Sequence, residues 1–251
     1  MIRYFSRIIL LKRLIPSIIK ILKIKNINFY NNGLIFNLDL RYLVDRRFYL
    51  NGSYDNEKIK LFNYLIKNYE IKNFFDIGSC WGIYSLILAK KNPHIKIQSF
   101  DVFDNNCIRL RKMAQINKLY NIEVINVALG STDEKVTFSV NENFSPNYAK
   151  DLNGKYVIEV NQKKLDNLVT KDNEKIAIKI DVERTEIEVL SGAKNILSKN
   201  KCFVQIEYHK EYRNRIDNFF ENINYKKIIH KKSDDNECFF SNFIEQKDIN
   251  L

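Results

Sequence analysis

The sequence predicts an α/β fold, a mostly parallel sheet with helices on both faces. A C-terminal antiparallel hairpin closes it, and a small N-terminal segment of helices and a hairpin precedes it. Three observations carry this expectation. From Phe74 onward, short apolar runs alternate with stretches of helical periodicity, the pattern of βα units around a parallel sheet. The stretch Asn73-Phe74-Phe75-Asp76-Ile77-Gly78-Ser79-Cys80-Trp81-Gly82-Ile83-Tyr84-Ser85 passes from an apolar strand, through two glycines four positions apart, into an Ile/Leu/Ala helix. Finally, the predicted strands end on acids, Asp76, Asp101, Asp181 and Glu207. A sheet of this kind gathers its strand ends at one crevice, where ligands bind.

Residues 1–25 carry Arg3, Arg7, Lys12, Arg13, Lys20, Lys23 and Lys25, and no acid precedes Asp39. Lys12-Arg13 and Pro16 interrupt their apolar run, which is therefore too broken to span a bilayer. No small-residue cleavage site follows it, which argues against a signal peptide. Two short basic amphipathic helices are expected, lying on an anionic membrane surface or packed on the domain or a second subunit. Ile27–Tyr30 and Leu34–Leu38 flank Asn31-Asn32-Gly33, a hairpin signal. Asp55 stands at the N-cap position of a helix over Lys58–Tyr69, where Ile59, Phe62, Leu65 and Ile66 share one face.

The alternation follows: strand 72–77, helix 82–91, strand 95–101, helix 105–118 and strand 122–128. After an insertion come strand 175–181, helix 185–198, strand 202–208 and helix 211–222. Runs 225–231 and 237–243, joined at Ser233-Asp234-Asp235-Asn236, make the closing hairpin. The insertion, 131–164, holds short strands 135–140 and 156–160 around a polar loop; such a length in a compact domain is more often functional than idle. No Gly/Pro/Ser-rich linker appears. Residues 1–50 therefore read as a basic arm with a hairpin, and 51–251 as one domain.

At 251 residues and 45% apolar content the chain can bury one substantial core, and disorder is excluded as a default. The net charge of +11 suggests an anionic partner, although a chain so rich in Lys, Asn and Ile carries that charge partly as a composition bias. Cys80, Cys107, Cys202 and Cys238 are scattered, with no C-x-x-C and no His at ligand spacing. This reads as a protein of the reducing cytoplasm without a disulfide framework or zinc site. Oxygen ligands around Asp181 would suit magnesium, but no spacing demands a metal, and none is assigned.

The chemistry concentrates at the strand ends. Gly78 lets the chain turn, and Gly82 lets the next helix approach the strand or a ligand. The third glycine of a dinucleotide fingerprint is missing, which makes a dehydrogenase a distant third reading. Asp101 is placed either to accept both hydroxyls of a ribose or to cap the helix after it, with Asp104 as the alternative cap. The helix starting near Gly82 offers free N–H groups to a carboxylate. Asp181 is the first candidate for a general base or acceptor-positioning acid, His209 the second. Glu183 and Glu186 begin the following helix, where the dipole alone favours acids.

The motif D-x-G-x-x-x-G resembles the first motif of class I S-adenosylmethionine-dependent methyltransferases. Further residues narrow the likeness. Asp76-Ile77-Gly78 with Gly82-Ile83-Tyr84-Ser85, Ala128-Leu129-Gly130, Leu165-Asp166, Lys179-Ile180-Asp181-Val182-Glu183 with Glu186, Leu190-Ser191-Gly192-Ala193 and Ile206-Glu207 resemble the FkbM-type methyltransferases in order and spacing. The likeness covers about residues 45–210, and Ser53-Tyr54-Asp55 echoes a Tyr-Glu pair that often precedes that domain. It implies a Rossmann-like fold, S-adenosylmethionine as cofactor, and O-methylation of a hydroxyl on a sugar, glycan or small natural product. With that cofactor, Asp76, Gly78, Ser79, Trp81, Gly82, Asp101, Val102 and Ala128 are the expected cofactor-binding residues, and Asp181, His209 and Glu183, chosen by their place at the strand ends, are the candidate catalytic residues.

The chain departs from the family pattern at three places. Ser79-Cys80-Trp81 replaces Ala-Asn-x, Asp101-Val102 replaces Glu-Pro, and Arg184 stands where the family has glycine. Trp81 would either close over the cofactor or pack under the helix. Arg184 could address an anionic acceptor with its planar fork. An RNA ribose 2′-O-methyltransferase is one rival. The Asn/Asp-Pro-Pro-aromatic run of enzymes that methylate base nitrogens is lacking, and nucleic acid is not the expected partner. A non-catalytic, membrane-associated binding protein with a degenerate pocket is the other rival. The expected location is cytoplasmic, with peripheral membrane contact through residues 1–25.

Overall fold

The computed structural model describes residues 26–140, 156–229 and 236–249. The arm expected over residues 1–25 lies outside them. The described elements begin with a hairpin, β1 (Asn26–Asn31) and β2 (Leu34–Asp39), then α1 (Leu43–Asn51) and α2 (Asn56–Asn68). Next come β3 (Asn73–Ile77), α3 (Ile83–Lys91), β4 (Lys96–Asp101), α4 (Asp104–Ile116) and β5 (Ile122–Asn126). The insertion supplies β6 (Ala128–Leu129), β7 (Glu134–Val140) and β8 (Tyr156–Lys163), followed by the single turn α5 (Leu165–Leu168). The last part holds β9 (Lys175–Ile180), α6 (Glu186–Gly192), α7 (Lys194–Lys199), β10 (Lys201–Glu207), α8 (Arg213–Asn222), β11 (Lys226–Ile228) and β12 (Glu237–Ser241).

Among the described residues, seven strands form the main sheet in the order β11-β12-β10-β9-β3-β4-β5. β10, β9, β3, β4 and β5 run parallel; β12 is antiparallel to both β10 and β11. The chain starts at β3, winds out to β5, and returns to the other side of β3 at β9. The order thus reverses between β3 and β9, which is the switch point of the sheet.

Alternation along each strand explains the two layers. Phe74, Ile97, Ala177, Phe203 and Phe239 pack with α2, α3, α4 and the β1–β2 hairpin. Phe75, Phe100, Ile178, Val204 and Phe240 point the other way, toward α5 to α8. The hairpin is welded into the first layer: Phe36, Phe48 and Trp81 meet with ring centroids 4.9–6.0 Å apart. Arg109 of α4 pairs with the buried Asp45 of α1 at 2.5 Å and lies over the Trp81 ring.

Several sequence expectations are corrected. Helix 185–198 is two helices, because the chain turns at Gly192–Ala193, where Gly192 presses onto the Gly130 carbonyl (a Cβ there would sit 1.9 Å from that oxygen). Strand 122–128 ends at Asn126; Ala128–Leu129 pairs instead with β8 in a separate three-stranded sheet with β7. Helix α1, not expected from the sequence, follows the hairpin. Asp55 holds the position before α2, but in a left-handed conformation and without capping it. Its carboxylate faces the interior, accepting from the Tyr84 hydroxyl at 3.0 Å and from Lys58 at 3.3 Å.

Candidate active site

The site is built where β3 and β9 end side by side. Gly78, the first residue after β3, has φ +72°, and a Cβ on it would lie 1.8 Å from the Asp181 carbonyl oxygen. Its N–H and that of Ser79 both donate to the Phe100 carbonyl, at 2.9 and 3.0 Å. Asp181 in turn donates its N–H to the Ile77 carbonyl at 3.0 Å. The turn is therefore closed by backbone on backbone, and only glycine fits. Gly82 is required for a different reason. At φ +86°, its Cβ position lies 2.3 Å from Leu110 of α4, so of the two roles expected for it the close approach is to a helix.

Asp101, at the end of β4, is held on both oxygens. Oδ1 accepts from the Phe103 N–H at 2.8 Å and from Asn106 at 3.1 Å, and Oδ2 accepts from the Cys80 N–H at 2.8 Å. It thus steadies the start of α4, a role Asp104 does not share, and bridges the two βα turns. Burial pushes its carboxyl up to about 6, although these three donors favour the anion. Beside it lies a narrow slot of about 60 Å³ lined by Phe100, Val102, Val127, Ala128, Leu129 and Phe138. Phe138 reaches it from the insertion, which periodicity alone did not single out.

Across Gly78 the character changes. A cavity of about 310 Å³ is lined by Asp55, Asp181, Glu183, Glu207 and Glu237 against Arg47, Lys58 and Lys179. Gly78, Asp181 and Glu183 line both spaces, so the slot and the cavity meet at the switch point. Lys179, a residue of the quoted motif to which the sequence reading gave no role, organises this junction. Its buried ammonium lies 3.3 Å from Asp181 Oδ2, 3.8 Å from Asp76 Oδ1, and donates to the Gly78 carbonyl at 3.3 Å. Burial opposes its charge, and the two carboxylates overcome burial, holding it protonated well above the ordinary lysine range. Asp76 is itself fully buried, accepting from Ser85, which also meets Ser99 at 2.7 Å. It therefore shapes the site from beneath.

Glu183, Glu207 and His209 form a cluster whose ligating atoms lie within 4.8 Å of one another. His209 Nε2 is 3.0 Å from Glu207 Oε1 without the alignment of a hydrogen bond, and both His209 Nε2 and Glu207 Oε2 are buried with no hydrogen-bond partner among the described residues. Burial first, then the neighbouring carboxylates, pushes Glu183 up to about 7 and Glu207 up to about 9. Glu183 and Arg184 both have positive φ, +54° and +80°, which places Arg184 in the conformation a glycine adopts without cost.

The Trp81 side chain is fully buried against Phe36 and Phe48, which is the packing role, and the residue also borders the polar cavity. Arg184 is exposed and is not among the residues lining either space. Cys80 stands with φ +51° where the family has Asn, a residue that tolerates this region better.

A parallel sheet with a narrow, largely apolar slot at its switch point, an acid at the end of the second strand and a polar cavity alongside is the arrangement of a Rossmann-like methyltransferase. The particular family follows from the sequence comparison. The family model described as the methyltransferase FkbM domain matches residues 76–227, and the chain belongs to that family. Its methyl donor is S-adenosylmethionine. No curated protein matches the chain. Among solved structures it is similar to a ribosomal protein L11 methylase from Lactobacillus delbrueckii subsp. bulgaricus (TM-score 0.46, 10% identity, covering 75% of this chain and 78% of that one). It is also similar to a precorrin-6y C5,15-methyltransferase from Geobacter metallireducens (0.44, 11%, 74% and 86%) and to Trm5b from Pyrococcus abyssi (0.47, 13%, 87% and 55%). These likenesses say nothing about the acceptor.

The residues present fit the donor. The slot wall of Phe100, Val102, Val127 and Ala128 is apolar and would face the adenine, Asp101 would meet the ribose, and the Gly78–Gly82 turn would hold the methionine end. The sulfonium would then lie near the junction at Gly78 and Asp181, facing the polar cavity.

Proposed function

We propose that this protein transfers the methyl of S-adenosylmethionine to a hydroxyl oxygen of a polyhydroxylated small molecule or glycan. The observation that carries the reading is that the slot and the polar cavity share Gly78, Asp181 and Glu183, so donor and acceptor sides meet at one carboxylate. The chemistry asks for alignment and one proton transfer. The acceptor oxygen forms a bond to the methyl carbon as the carbon–sulfur bond breaks, sulfur keeps that electron pair as a neutral thioether, and the hydroxyl proton passes to Asp181. Lys179 keeps Asp181 oriented at the junction.

The charge of the cavity refines the acceptor. Five acidic side chains face three cations there, and Lys58 and Lys179 are already paired with Glu237 and Asp181. With Arg184 outside both spaces, a neutral polyol suits this lining better than an anionic sugar, and an RNA backbone suits it least. Among the described residues no helix is long and apolar enough to cross a membrane. Peripheral attachment to an anionic surface through the basic residues 1–25 belongs to the proposal, and co-sedimentation with anionic vesicles would test it.

Calorimetry with S-adenosylhomocysteine, followed by a screen of neutral and acidic sugars read by S-adenosylhomocysteine release, tests the whole reading. Binding with turnover on neutral polyols is expected. Absence of binding would overturn the enzyme reading, and turnover confined to RNA would overturn the acceptor class.

A further inference from the structure

The cluster beside Asp181 has a composition that the methyl transfer itself does not explain. Glu183 comes from the loop after β9, Glu207 from the end of β10, and His209 from two residues beyond. The fold brings two carboxylates and an imidazole together from segments separated by 24 residues or more in the case of Glu183. Two of their polar atoms, Glu207 Oε2 and His209 Nε2, are buried without a hydrogen-bond partner among the described residues, which is costly unless something fills the gap between them. Lys179 cannot fill it, being committed to Asp181, Asp76 and the Gly78 carbonyl.

We infer that Glu183, Glu207 and His209 hold a divalent first-row cation at the acceptor side of the cleft, and that the acceptor hydroxyl binds to its open positions. The inference rests on the methyltransferase reading for the use of the cation, while the site stands on geometry alone. Two ligands at right angles on a cation with bonds of about 2.1 Å lie about 3.0 Å apart. His209 Nε2 and Glu207 Oε1 are already 3.0 Å apart, and the third group lies within 4.8 Å, reachable by a side-chain adjustment. Two carboxylates balance the charge of a dication. A mixed oxygen and nitrogen donor set favours manganese or zinc over magnesium or calcium.

Glu183 and Glu207 line the polar cavity together with Asp181, so a cation between them faces the acceptor. Three protein ligands leave positions open, as in catalytic metal sites. The cation would polarise the acceptor hydroxyl and lower its pKa before the proton passes to Asp181. It would also orient two neighbouring hydroxyls, which matches a polyol acceptor.

The test uses the full-length, chelator-treated protein and Mn²⁺ followed by electron paramagnetic resonance, with S-adenosylhomocysteine calorimetry in parallel. One Mn²⁺ per chain is expected, with nitrogen modulation in the pulsed spectrum that disappears in His209→Ala. Glu207→Gln and His209→Ala should each weaken Mn²⁺ binding by about tenfold or more while S-adenosylhomocysteine affinity changes by less than about twofold. Should Glu207→Gln lose its cooperative melt, Glu183→Gln takes its place. No Mn²⁺ or Zn²⁺ binding by protein that binds S-adenosylhomocysteine would overturn the site, as would binding that survives all the variants. Metal binding without S-adenosylhomocysteine binding would instead overturn the methyltransferase reading and leave the site standing.

Discussion

On the nucleoside side of the cleft, each oxygen of Asp101 already accepts a hydrogen bond and the slot walls are closely packed Phe100, Val127 and Leu129. Across Gly78, the proposed acceptor side leaves Glu207 Oε2 and His209 Nε2 buried without hydrogen-bond partners among the described residues. The first side is built from backbone turns and a carboxylate already held by protein donors, and the second keeps open polar atoms. A cofactor common to a whole family would be met by the preformed side, and an acceptor particular to one enzyme by the side whose polar atoms a ligand or cation would satisfy.

Substitutions should separate the two halves. Asp181→Ala should lower turnover by about 10²–10⁴-fold with S-adenosylhomocysteine affinity within about threefold, measured by steady-state kinetics and calorimetry. An equal loss of binding would move Asp181 to the nucleoside half. Gly78→Ala should damage both halves at once, because its methyl would enter the Asp181 carbonyl. A loss of about 3 kcal/mol or more is expected, seen as a melting point lower by about 6–12 °C or more. An unchanged melt would mean the two turns can separate.

Asp101→Ala should weaken S-adenosylhomocysteine binding by about 10–100-fold, the worth of hydrogen bonds to a charged group. The same carboxyl sets a pH dependence whose sign is fixed. With its pKa raised to about 6, it gains a proton as the pH falls and loses acceptor capacity toward the ribose. S-adenosylhomocysteine should therefore bind about tenfold more weakly at pH 5 than at pH 7.5, and the difference should vanish in Asp101→Asn. A pH-independent affinity in the unmodified protein would show that the ribose does not use this group. The smallest effect is expected outside both halves: Arg184→Gly should stabilise by about 1 kcal/mol, raising the melting point by about 2–4 °C, because the left-handed strain at φ +80° is relieved. A loss of turnover in that variant would bring Arg184 back toward the acceptor.

The turns at the crevice were the legible part. Gly78 sits in the turn after β3, and Asp101 and Val102 in the turn after β4, where position in the chain implies position in the crevice; Ala128 follows the next strand. The surroundings of Trp81, in the first of these turns, come from Phe36 and Phe48 of the hairpin and α1, far away in sequence. Helix α1 was missed since its nine residues place Asp45 inside, against Arg109, which inverts the usual pattern of buried apolar and exposed charged positions. Lys179 was in plain sight within a quoted motif. Its role became visible once β3 and β9 were neighbours and Asp76 and Asp181 flanked it.

By itself the sequence determined the parallel α/β sheet and the acids at its strand ends. These follow from local rules, the two periodicities and the glycine at a turn where no Cβ fits, and from the handedness shared by all βα units. Only the tertiary structure decided which of those acids are paired and which stand open. Asp76 went beneath the site with Ser85, Asp101 was pinned by Cys80 and Phe103, and Glu207 was left facing Glu183 and His209. The physical reason is that burial and charge at a strand end depend on the neighbouring strands and loops, which meet through space and leave no period in the chain.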